Sequence, residues 1–239
     1  MNDASLISLL LRCALAALVA LVLCLPPWWA AGRLPAACAT PFFRLLVAAG
    51  GALVGWLGAV NLLGRQLQNS LIPAGIWLGL NAAAAAWLLW RRRDGLSPRG
   101  LAATWRAWLP VVLLAVVVGA PQWLFAVSTP YWDEVASSAI HLTAPNQFAE
   151  GVFPPRHNAF PDLPLKYHYG STMLVGMLIW LTGLSANVGI DVVSTCLHLF
   201  VFLFAFHWLQ QIGFRRLACL WGSFAVLLGG GLAWLYVPW

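Results

Sequence analysis

Read for its hydrophobic and polar positions alone, the chain alternates long apolar runs with short polar breaks. A membrane-crossing helix needs about 20 predominantly apolar residues. Runs of that kind fall near residues 5–25, 42–63, 71–90, 105–127, 169–186, 189–211 and 217–238. In hydrocarbon each backbone N–H and C=O must find its partner within its own segment, so such runs are helices. The expected fold is all-α: a polytopic transmembrane helical bundle of about seven spans. Three spans form an N-terminal part (1–104), and the rest belong to a second module (105–239) carrying one large outside loop, 128–170. The first run lacks a basic start and is long enough to span, so it reads as a membrane helix and not a signal peptide. The fifth run is the weakest, being short and preceded by polar residues.

Composition sharpens this picture. Of 239 residues, 62% are hydrophobic and 8% charged, against roughly a quarter charged in soluble domains. The mean hydropathy is +0.81. A net charge of +6 comes from twelve Arg and one Lys against seven acids. Most of the Arg residues stand at the ends of apolar runs, where they anchor helices and set orientation. No basic stretch interleaves with aromatics, so no nucleic-acid partner is expected; membrane lipids are. Arg91, Arg92, Arg93 and Arg99 make the loop after the third run the best cytoplasmic candidate, which puts 128–170 outside. Arg215 and Arg216 then conflict with the rule, because seven simple spans would leave them outside too. Cys13, Cys24, Cys38, Cys196 and Cys219 are scattered, suggesting neither a disulfide framework nor a zinc site. Gly50, Gly51 and Gly55, Ala82 to Ala86, and Gly229 to Gly231 read as small residues that let helices approach in lipid. Many of the tryptophans, Trp28, Trp29, Trp105, Trp108, Trp123 and Trp132 among them, stand near run ends and fit interfacial belts.

The outside loop gathers the chemistry. It holds four of the seven acids, three of the five His and the only Lys. Thr129 and Pro130 suit the start of a helix. On a helical wheel Asp133, Glu134, Ser137, Ser138 and His141 share one side, while Val135, Ala136, Ala139, Ile140 and Leu142 share the other. That division predicts a short amphipathic helix lying flat on the membrane. Taken alone, Asp133 and Glu134 read equally well as first-turn acids that complement the helix dipole. The second part of the loop carries Pro154, Pro155, Pro161 and Pro164, which predicts a structured loop. Arg156, His157 and Lys166 together suit a phosphate, whereas Lys166, Tyr167 and His168 could equally anchor the next span at the interface.

From about Leu109 to Gly213 the chain resembles the GT-C-type membrane glycosyltransferases, which use polyprenyl-phosphate-linked sugars. The resemblance lies in a span leading to "YWDEVASSAIHL", then "EGVFPPRHN" and "PDLPLKYHYG", then a span ending "LTGLSANVGIDVV". It implies an inverting transferase on the outer side of a bacterial inner (plasma) membrane, with a polyprenyl-phosphate-linked sugar as donor. It implies Asp133 as catalytic base, with Glu134 beside it, and substrate or phosphate contacts from His141, Arg156, His157, Lys166, Tyr167 and His168. A divalent cation such as Mg or Mn could sit on Asp133 and Glu134; the sequence does not decide. Two departures stand out: three spans precede the one that should come first, and the sequence stops at Trp239 with no polar tail. The expectation is an N-terminal portion of a longer protein, one half of a split one whose partner is a further membrane subunit, or a degenerate member. A transporter or flippase-like protein for a lipid-linked saccharide, and a non-catalytic membrane subunit, are the rival readings of the same loop. Arg12, Asp191, His198 and His207 lie within apolar runs and read as structural, with His198 bonding a neighbouring helix.

Overall fold

The computed structural model describes residues 3–33, 41–91, 113, 142–156, 162, 164 and 170–232. Among them are seven α-helices and no strand beyond two isolated bridges. They are α1 (Asp3–Ala31), α2 (Pro41–Leu67), α3 (Leu71–Arg91), α4 (Thr143–Ala149), α5 (Gly170–Thr182), α6 (Ala186–Gln211) and α7 (Arg216–Leu232). Four are long and apolar enough to cross a membrane: Leu10–Ala31, Phe43–Leu67, Leu71–Arg91 and Ala186–Gln211. This is a membrane protein with an all-helical fold. The expected span at 105–127 and the expected flat helix carrying Asp133 lie outside the described residues.

The bundle is organised around α2, which packs against α1, α3, α5 and α6. Three glycines of α2 each admit a different neighbour. A Cβ at Gly50 would stand 3.2 Å from the Phe200 ring of α6, one at Gly51 would stand 3.3 Å from Pro27 of α1, and one at Gly55 would stand 2.8 Å from the Trp77 ring of α3. The helix-packing reading of these residues holds. Along the alanines of α3, Ala85 is buried and Ala84 half-buried, whereas Ala82, Ala83 and Ala86 are exposed.

Helix direction follows from these contacts. Phe43 stacks on Phe204 with ring centroids 6.3 Å apart, and Gly50 meets Phe200, so α6 runs antiparallel to α2. The start of α6 therefore lies at the end where α2 finishes and α3 begins. The start of α5 lies at the level of Leu57, about 15 Å along α2 from that end at 1.5 Å per residue. From there α5 runs outward. Trp180 reaches the crevice beside Ser70 and Leu71, and Gly183 lies under the Arg12 guanidinium of α1. At 13 residues, α5 is about 20 Å long, too short for a hydrocarbon core of about 30 Å.

The expected fifth span is thus a half-length helix that ends at the same end of the bundle as the α2–α3 turn. This one change reverses the course of everything after it. The α6–α7 turn, with Arg215 and Arg216, comes to the same end as Arg33, Arg44 and Arg91, and the conflict with the positive-inside rule disappears. Within the seventh run, α7 accounts for 217–232, and residues 233–238 lie outside the described residues.

Candidate functional site

The turn between α2 and α3 is built by local hydrogen bonding. Asn69 Oδ1 accepts from the backbone N–H groups of Leu71 and Ile72, both at 2.9 Å, and so caps α3. Gln68 before it takes a φ of +49°, a conformation that lets the chain reverse within three residues. The same turn is the dock for the outside loop. Ser70 Oγ donates to Phe148 O at 2.7 Å and Ser70 N donates to Gly151 O at 3.1 Å. Asn69 forms an antiparallel bridge with Val152.

The loop reaches this dock through α4, a helix inside a stretch the sequence reading left without an element. Pro145 and Phe148 of α4 press on Gly176 of α5, where a Cβ would stand 2.6 Å from Phe148 Cβ and 2.9 Å from Pro145 O. Phe148 also meets the Phe153 ring at 5.7 Å. Trp56, Val60, Ala74, Ala144 and Met173 complete this buried cluster at the outer end of the bundle. After α4 the chain turns at Gly151, whose φ of +89° suits glycine, and passes a cis Phe153–Pro154 bond. Gln147 then holds the returning strand at both backbone groups of Arg156. Its Nε2 donates to Arg156 O at 3.2 Å and its Oε1 accepts from Arg156 N at 2.6 Å. Arg156 in turn bridges Pro164.

These contacts enclose an open polar cleft of about 470 Å³ beside the α2–α3 turn. That volume is in the range of small-molecule sites. Gln68, Glu150, Arg156 and Asp162 supply its polar rim, over a floor of Gly151, Val152 and Phe153. Arg156, Glu150 and Asp162 are all exposed, so their charges face solvent or ligand. What Gln147 fixes is the Arg156 backbone; the guanidinium is left to the cleft. A cation with two carboxylates nearby suits a ligand with both an anionic group and hydroxyls.

Of the residues singled out from the sequence, Arg156 lies at this cleft. Asp133, Glu134, His141, His157, Lys166, Tyr167 and His168 are outside the described residues. Among the described residues no group of three His, Cys, Asp or Glu side chains could hold a metal ion, and the carboxylates expected to bind a divalent cation, Asp133 and Glu134, are not among them. Sequence reasoning missed Gln68, Gln147, Glu150 and Asp162 as members of one site, and Asn69 and Ser70 as its dock. The pair Asn69-Ser70 before an apolar run was a legible helix start; its contact with a loop some 80 residues later was not.

The polar residues within the spans are placed as follows. Arg12 covers Gly183, and its φ of +70° and that guanidinium both exclude a side chain there. His198 Nδ1 pairs with Ser194 O of its own helix at 2.8 Å. Asp191 is half-buried in the second turn of α6. Comparison of the chain with protein-family models, with curated proteins and with solved structures returned no match.

Proposed function

We propose that the chain is the membrane module of an inverting glycosyltransferase that moves a sugar from a polyprenyl-phosphate donor to an acceptor on the outer side. The observation that carries this reading is the cleft itself. It is a polar pocket folded from the 142–164 part of the loop against the α2–α3 turn, with the Arg156 cation at its rim. A lipid-linked donor presents its phosphate and sugar to such a pocket while its chain stays in hydrocarbon. The sequence resemblance to the GT-C class supports the same assignment.

The chemistry asks little of the protein. The acceptor hydroxyl oxygen attacks the anomeric carbon from the face opposite the phosphate. The bond between that carbon and the phosphate oxygen breaks with its electron pair, and polyprenyl phosphate leaves. The hydroxyl proton passes to a carboxylate, the role assigned to Asp133 by the resemblance. Arg156 offsets the negative charge that grows on the departing phosphate, with His157, Lys166 and His168 as further candidates for that role. Glu150 and Asp162 at the rim are suited to accept hydrogen bonds from sugar hydroxyls.

Transfer of radiolabelled sugar from a polyprenyl-phosphate donor, measured on protein of full natural length, tests the proposal. Asp133→Asn removes the negative charge at nearly constant size. It should cost on the order of 10²–10⁴ in rate while the protein stays folded, and Glu134→Gln should cost less. Donor binding without transfer in the wild type would point instead to a carrier of lipid-linked saccharides. Full activity in Asp133→Asn would remove the base from this mechanism.

A further inference from the structure

The end of the bundle opposite the cleft carries a second site, formed where α1 finishes and α2 begins. Arg33 lies over the Trp29 ring with its guanidinium carbon 3.7 Å from the centroid. Arg44 comes to the same place from α2, its Nη1 3.9 Å from where a Gly32 side chain would begin. Two guanidinium groups thus flank one helix end. The Arg44 Nε is buried and has no hydrogen-bond partner among the described residues. Arg91, Arg215 and Arg216 stand at this same end, whereas the described carboxylates Glu150, Asp162 and Asp191 all belong to the opposite half of the bundle.

Helix stability does not account for the arrangement. Arg33 does complement the negative end of the α1 dipole, but Arg44 stands in the first turn of α2, where a cation is disfavoured. Depth is informative as well. The apolar stretch of α1 ends at Ala31 and that of α2 begins at Phe43, so both cations sit where hydrocarbon gives way to headgroups. Trp29 is at the level that interfacial tryptophans favour, and stacking fixes Arg33 there. A guanidinium presents planar paired donors that match two oxygens of a phosphodiester.

We infer that Arg33 and Arg44 form a binding site for the phosphate of an anionic phospholipid in the inner leaflet. The site stands apart from the glycosyl-transfer reading and does not depend on it. Inorganic phosphate offers the same oxygens, but the position at the hydrocarbon edge, beside an apolar stem on each side, selects the lipid.

The full chain, purified in neutral detergent, is titrated with phosphatidylglycerol or phosphatidylcholine and bound lipid is counted by native mass spectrometry. Phosphatidylglycerol should be retained preferentially, and the preference should weaken as salt rises. The double change Arg33→Gln and Arg44→Gln should lower its apparent affinity on the order of tenfold or more, from two cations at a membrane surface. Arg65→Gln, at the opposite rim, should leave it unchanged. A photoactivatable phosphatidylglycerol should label the segment 29–44 of the wild type, which gives a result even if the double variant does not fold. Equal retention of both lipids, labelling confined to other segments, an equal loss in Arg65→Gln, or release of the lipid by millimolar inorganic phosphate would each overturn the inference.

Discussion

At the scale of single residues, Ser70 and Gly176 do most to hold the outer loop in place. Ser70 Oγ is buried and its one acceptor, Phe148 O, belongs to a helix nearly eighty positions away. Ser70→Ala should therefore lower stability by about 1 kcal/mol, a typical net value for a buried hydrogen bond, read as a lower denaturation midpoint. Gly176→Ala should cost more, about 1–3 kcal/mol, since the new methyl would meet the Phe148 Cβ and the Pro145 carbonyl of α4. The expected signature is specific: protease sensitivity rises within 142–156 while α2 and α3 stay protected. Equal loosening of the whole bundle would argue that Gly176 matters for general packing and not for α4. Neither effect is visible in the sequence, because a serine after a cap residue and a glycine in an apolar run have many commoner explanations.

At the scale of elements, the unit that matters is α4 with the strand that returns to Arg156. Seven residues make a helix too short to be stable alone. It persists because Pro145 and Phe148 are buried against α5 and because Gln147 ties the returning strand to it. Gln147→Leu keeps the size of the side chain but removes both hydrogen bonds to Arg156. Helix content measured by circular dichroism should be unchanged, while affinity for a polyprenyl-phosphate donor should fall, because the backbone that presents the guanidinium to the cleft loses its anchor. A variant that binds the donor normally would show that the cleft does not need Arg156 in this register. The apolar spans could be read from the sequence as elements, and α4 could not. Its residues, TAPNQFA, carry no long hydrophobic period and owe their helix to tertiary packing.

For the whole molecule, the half-length α5 decides which side each later segment faces. Reporter fusions should place the Arg91–Arg99 loop in the cytoplasm and the region of Asn158 outside. A fusion after Gly213 should read cytoplasmic, on the side of Arg215 and Arg216, and this separates the structure from seven simple crossings. An outside signal there would mean that α5 crosses fully. The charge distribution gives the same answer independently. With α5 confined to the outer half, Arg33, Arg44, Arg91, Arg215 and Arg216 share one end of the bundle, as the positive-inside rule requires.

The sequence by itself determined the class of this protein and the positions of its long helices. Hydrocarbon leaves the backbone few choices, so twenty apolar residues in a row define a helix whatever surrounds them. It also singled out the 128–170 loop, and Arg156 within it, by their charge in a chain where charge is scarce. Only the tertiary structure decided that the run near 169–186 stops short, that α4 exists, and that Gln68, Glu150, Arg156 and Asp162 meet in one cleft. Those outcomes depend on contacts between residues far apart in the chain, and hydrophobic periodicity carries no record of which segment will cover which. The sharpest case is Gly183, which the sequence reading places inside the fifth apolar run. In the fold it is where the guanidinium of Arg12, some 170 positions earlier, lies across the turn into α6.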